Sequence, residues 1–220
     1  MYQSIVQKRG QVQFPEFMAE RVYMQKFFKN EGLPEALKRW QPTVSSMLAG
    51  IETDQPIYLM VDQAFVPGGN AHRRPGKHVD GYWIESAHRG NGHGGHRIHA
   101  HGGNKHSPVK EKDDGEWSRS RKWSLNQSKG WDDVDFSYPE GIILASDIQA
   151  CAAYNGLYDE SLLGEGGEAS RISGHFDRID MQANHVYAGN VGMLHESLPL
   201  KTDCFRTVVR LNVPGWSPLH

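Results

Sequence analysis

From Pro15 to Trp40, apolar side chains recur at roughly helical spacing: Phe17, Met18, Val22, Met24, Phe27 and Phe28, then Leu33, Leu37 and Trp40. Residues three or four apart share one face of a helix, so this segment is predicted to be helical. Gly32 and Pro34 interrupt the run and divide it into two helices, packed on one face of whatever follows. Beyond Pro56 the pattern turns to strands. Ile57 to Phe65 is apolar and β-rich, and Gly141 to Ala153 opens on the run Ile142, Ile143, Leu144, Ala145. Arg178 to Tyr187, Val191 to His195 and Phe205 to Val213 complete the set. Short strands between Gly, Pro, Asn and Asp turns, with no helix regularly between them, predict an antiparallel sandwich or barrel. A double-stranded β-helix, or jelly roll, is compatible with that order.

Between these strands, Ala87 to Tyr138 loses all periodicity. It holds His88, His93, His96, His99, His101 and His106 among glycines, then a charged stretch from Lys110 to Lys122. A loop of this length inside a compact domain is usually functional or disordered. The expected organisation is one domain. Residues 1–55 form mainly helical support, residues 56–214 a mainly β jelly-roll core, and residues 87–138 an irregular insertion that could act as a lid.

Composition narrows this picture without changing it. A chain of 220 residues, 38% hydrophobic and 23% charged, suits one domain with a real core. The formal charge of -2 leaves no electrostatic footprint for nucleic acid, so none is expected as a partner. Cys151 and Cys204 do not make a disulfide framework, which favours a reducing compartment. Met1 to Phe14 has no long apolar stretch, so neither a signal peptide nor a membrane span is expected. A cytoplasmic protein without a membrane partner is the resulting expectation.

The tightest chemical signal runs from His72 to Trp83. His78 and Asp80 are one residue apart, and on a strand residues two apart point to the same face. Imidazole and carboxylate are suitable ligands for Fe(II), and a third ligand from elsewhere would complete a two-histidine, one-carboxylate facial triad. Near the C-terminus, His195 ends an apolar strand, and the next strand carries Arg206 and Arg210. Those arginines share a strand face with Val208, while Thr207, Val209 and Leu211 take the other. Two arginines on an otherwise apolar face need an anionic partner, because an unpaired buried charge is expensive. A dicarboxylate held by a guanidinium fork is one such partner.

His78-x-Asp80, a distant His195 and Arg206 eleven residues later together resemble the Fe(II)/2-oxoglutarate-dependent dioxygenase family. The resemblance spans most of Ile57 to Val213. It implies iron held by His78, Asp80 and His195, and 2-oxoglutarate anchored by Arg206, with Arg210 competing for that role. It also implies a jelly-roll fold and dioxygen as co-reactant. Family members that halogenate typically lack the carboxylate ligand, so Asp80 favours hydroxylation of a C–H bond with release of succinate and CO2. The helical segment before Trp40 and the insertion after Trp83 are not diagnostic of a subfamily.

Other readings compete. The loop histidines could bind metal, but they lack the spacing of a closed zinc site, and a solvated loop or a lid over the iron fits them better. His72 and His175 read as turn or surface residues. Arg73, Arg74 and Lys77 form a basic cluster that either attracts an anion or is solvated. Tyr82 and Trp83 either line a substrate pocket or pack, and Trp117, Trp123 and Trp131 argue that part of the insertion folds. Ser197 lacks the glycines of a nucleophile elbow. Two rivals to the oxygenase stay open: a non-catalytic cupin-type binding protein, and a metal-dependent cupin enzyme that does not use 2-oxoglutarate.

Overall fold

A computed structural model describes residues 1–81 and 139–218. The insertion from Ala87 to Tyr138, with its histidines and tryptophans, lies outside the described residues, as do Tyr82 and Trp83. The fold is mainly β and antiparallel. In chain order the strands are β1 (Tyr2–Ser4), β2 (Val6–Gln11), β3 (Arg21–Phe27), β4 (Ile57–Val66) and β5 (Glu140–Ser146). They continue with β6 (Cys151–Tyr158), β7 (Asp177–Asp180), β8 (His185–Asn190), β9 (Leu194–Ser197) and β10 (Cys204–Pro214). The larger sheet has the order β2-β8-β5-β10-β4-β3. In the smaller sheet β6 is central, pairing with β7 along one edge and with β1 and β9 along the other. Among the described residues no helix is long and apolar enough to cross a membrane.

Alternation along β10 explains how the two sheets meet. Val209, Leu211 and Val213 turn outward into a cluster with Leu59, Val61, Ile143, Ala145 and Ala188. That outer face is roofed by Trp40, Val44, Met47 and Ile51, which come from a 3-10 turn (Glu35–Trp40), helix α1 (Gln41–Met47) and the chain just beyond it. The opposite face of the larger sheet packs on the smaller one, with Ile142, Leu144 and Tyr187 meeting Ala153 and Met193. Burying each large aliphatic side chain contributes about 1.5–3 kcal/mol, so a two-faced central strand is a strong organiser. Arg206, Val208, Arg210 and Asn212 therefore point into the space between the sheets.

The N-terminal part departs from the helical expectation. Residues 1–55 hold three strands and only one short α-helix, and Arg21–Phe27 is an edge strand paired with β4. The cause is a register shift between Val22 and Gln25, where Met24 takes a positive φ of 45°. A bulge inserts one extra residue and breaks the period of two. Met24 and Phe27 are both buried three apart, and that spacing imitates a helix. The second predicted helix survives only as the 3-10 turn at Glu35–Trp40, leading into α1. Its Trp40 is fully buried and donates from its indole nitrogen to Glu20 Oε2 at 2.8 Å.

Candidate metal centre

His78 and His195 are brought together by the backbone. Each donates its amide N–H to the other's carbonyl at 3.0 Å, an isolated antiparallel bridge that sets the two imidazoles side by side. Their ring centroids are 4.5 Å apart. The segment around His78 is not a full strand. It is a single bridge held between β9 and the loop at Glu168. The expected alternation nevertheless holds, because Val79 packs with Leu163, Ala169 and Leu194 while Asp80 comes round to the histidines. The potential ligand atoms of His78, Asp80 and His195 all lie within 4.8 Å of one another, a cluster that could hold a metal ion.

The donor chemistry of these groups fits an ion. His78 Nδ1 lies 2.8 Å from the Gly76 carbonyl and His195 Nδ1 lies 3.1 Å from that of Met193. Nδ1–H donating to a carbonyl leaves Nε2 with its lone pair, the usual arrangement of a metal-bound imidazole. Burial, and next the neighbouring His195, push His78 down to about 3, so it is neutral at neutral pH. Burial opposes ionisation of Asp80, but Arg210 and then His195 hold its carboxyl well below the usual carboxylate range. Asp80 Oδ2 lies 2.6 Å from Arg210 Nη1 and 3.3 Å from His195 Nε2.

The two arginines occupy different settings. Arg210 is paired with Asp80, and its Nη2 lies 3.4 Å from Met24 Sδ, the bulge residue of β3. Arg206 is 0% exposed and forms no ion pair with any described residue. It donates to Ser146 Oγ (3.1 Å), Ser197 Oγ (3.4 Å), the Ala150 carbonyl (3.1 Å) and Cys151 Sγ (3.0 Å). Those acceptors are neutral, so its hydrogen bonds are largely met while no described residue pairs with its charge. Asp147 influences it only electrostatically. Beside its partners Ser146 and Cys151 runs a small cavity also lined by Leu144, Tyr187 and Val208.

The basic cluster is pinned residue by residue. Arg74 Nη1 donates to the Gly166 carbonyl at 2.6 Å. Lys77 Nζ donates to the Ile172 carbonyl and lies over the rings of Tyr154 and Phe176. Arg73 Nη1 donates to Asp62 Oδ2 at 2.8 Å. His175 is exposed, as expected, but His72 is not a surface residue. Its side chain is 3% exposed, with Nε2 3.4 Å from Asp62 Oδ1.

Asp62 is the group that pattern reading passed over. An acid within the apolar run of β4 is the signal that marks it, because a buried carboxylate requires cations. Burial alone would raise its pKa. His72 and Arg73 outweigh burial and bring it down to about 2. Its folded value lies below the unfolded one of about 3.9. While His72 is protonated, the stabilisation is therefore present above about pH 4 and is lost as pH falls toward 2, amounting to about 2 kcal/mol. Denaturant unfolding as a function of pH checks this. Asp62→Asn should lower stability at pH 6 and flatten the acid decline, and an unchanged decline would disprove the assignment.

Comparison of the chain with protein-family models, curated proteins and solved structures gave no match.

Proposed function

We propose that this chain is an Fe(II)- and 2-oxoglutarate-dependent oxygenase that hydroxylates a C–H bond of its substrate. One observation carries the reading: His78, Asp80 and His195 converge between two sheets, where β10 also presents the buried Arg206 and Arg210. Strand order supports a double-stranded β-helix. From β4 the chain passes to the bridge segment beside β9, returns to β5, enters β6 and β7, returns to β8, crosses to β9 and ends in β10. That alternation between sheets is how a jelly roll is wound.

In this reading Fe(II), when bound, supplies the redox chemistry that couples decarboxylation of 2-oxoglutarate to oxidation of the substrate. The overall change is R–H, 2-oxoglutarate and dioxygen to R–OH, succinate and carbon dioxide. The chain supplies the ligands and the setting. The Gly76 and Met193 carbonyls fix the tautomers of His78 and His195. Arg210 holds Asp80 ionised and oriented, which removes it as the first choice for the cosubstrate. Arg206 is left with a buried charge that no described residue pairs, and the distal carboxylate of 2-oxoglutarate would match it.

One observation favours a second reading. The four neutral acceptors around Arg206 give it a structural role without any ligand, as expected of a metal-dependent cupin enzyme that does not use 2-oxoglutarate. Incubation of the Fe(II)-loaded protein with 2-oxoglutarate in air separates the two. Slow succinate formation that stops under nitrogen supports the oxygenase. Metal binding with no consumption or binding of 2-oxoglutarate supports the rival.

A further inference from the structure

Asp62 lies in register with Val208 of β10 and Arg21 of β3, on the inner face of the larger sheet. The residue is 7% exposed, and its carboxylate gathers three basic side chains. Arg21 Nε approaches to 3.2 Å, but that side chain is 72% exposed and contributes little. The other two, His72 and Arg73, are consecutive residues of the run that reaches His78 and Asp80. The same run is clipped to β9. The Arg73 amide donates to Ser197 Oγ at 3.2 Å, the Ser197 amide donates to the Arg74 carbonyl at 3.3 Å, and Ala71 bridges Pro199.

These contacts leave a specific division of labour. Backbone bonds to β9 place His78 against His195, but they do not place either against the larger sheet. Among the described residues, ion pairs tie residues 71–80 to that sheet at two points: Asp62 with Arg73, joined by His72 when its imidazole is protonated, and Arg210 with Asp80. The second point is shared with the candidate ion, because Asp80 is itself a ligand. Asp62 is thus the tie that is independent of the metal.

We propose that Asp62 is a positioning residue for the metal centre, fastening the start of the ligand-bearing segment to β4 through Arg73 and His72. It touches neither ion nor substrate. Its effect passes along six residues of chain to His78, one step further out than partners that hydrogen-bond a ligand directly, whose loss typically changes metal affinity 10- to 100-fold, so a smaller effect is expected. The inference rests on the metal reading of the triad and not on the use of 2-oxoglutarate.

Co(II) binding to the full chain is the test, measured by calorimetry and by the visible d–d absorption of the bound ion. Asp62→Asn and Arg73→Gln should each weaken Co(II) binding by about three- to tenfold, less than the loss of a direct ligand partner, and alter the d–d spectrum of the saturated protein. Asp62→Glu, which keeps the charge, should retain more affinity than Asp62→Asn. The Arg73 side chain is 38% exposed, so Arg73→Gln decides the matter if Asp62→Asn does not fold. Variants that lose stability yet bind Co(II) within twofold of the parent with an unchanged spectrum would overturn the proposal. Failure of the parent chain to bind Co(II) would remove the metal reading and this inference together, an outcome distinct from the first.

Discussion

Replacing His78 with alanine is expected to abolish succinate formation from 2-oxoglutarate, to at least about 100-fold below the parent, while leaving the fold intact. The magnitude follows from removing a ligand outright, which exceeds the 10- to 100-fold typical of outer partners. The survival of the fold follows from how the residue is held. The bridge between His78 and His195 is made by main-chain groups, so alanine keeps both hydrogen bonds. Val79, which fills the cluster on the opposite side, is untouched. What disappears is the imidazole and its hydrogen bond to Gly76. Metal titration and circular dichroism on the same sample check both halves, and turnover surviving in a folded variant would remove His78 from the ligand set.

Arg206→Met should raise the concentration of 2-oxoglutarate needed for half-saturation at least about 30-fold with little change in metal affinity. Truncating one partner of a buried charged pair costs about 2–5 kcal/mol, and 2 kcal/mol corresponds to about 30-fold. Methionine fills similar volume without the charge, but it leaves the Ala150 carbonyl and the Ser146 and Ser197 hydroxyls without this donor, at a cost of about 1–3 kcal/mol for each buried group left unpaired. Circular dichroism on the same variant shows whether the binding effect is read in a folded protein. Arg210→Met should behave differently. It removes the cation that holds Asp80, so its main effect falls on the metal. Direct titration of 2-oxoglutarate against Mn(II)-loaded protein distinguishes the two. An equal or larger loss at Arg210 would transfer the anchor to that residue.

Much of this arrangement is legible in the chain because it depends on alternation. In β10 the outward set Val209, Leu211 and Val213 and the inward set of arginines with Val208 separate as period-two spacing requires. The same rule puts Val79 opposite His78 and Asp80. Alternation fails wherever an extra residue enters a strand, and Met24 is such a place, so β3 read as a helix. It also fails at turns without strong breakers. Arg178 to Tyr187 reads as one strand but is divided between β7 and β8, with Asn184 at a φ of 58°. Gly141 to Ala153 likewise divides into β5 and the start of β6.

Long-range electrostatics was the least legible part. Nothing local announces that Asp62 meets His72 and Arg73, or that Arg210 meets Asp80, because each pair joins segments that only the sheet register brings together. The sequence presents Arg206 and Arg210 as a pair on one strand face, and the fold gives them different partners. One is bound to Asp80, the candidate ligand carboxylate, and the other is buried among neutral acceptors. That separation turns an ambiguous motif into two roles that can be tested independently.

The central claim is that one ion at His78, Asp80 and His195 receives 2-oxoglutarate directly. Anaerobic addition of Fe(II) and then 2-oxoglutarate to the full chain, followed by visible absorption, addresses it most directly. The expected result is a weak charge-transfer band that requires both additions and is missing from the His78→Ala variant. Folded protein that binds Fe(II) yet develops no such band at saturating 2-oxoglutarate would contradict it.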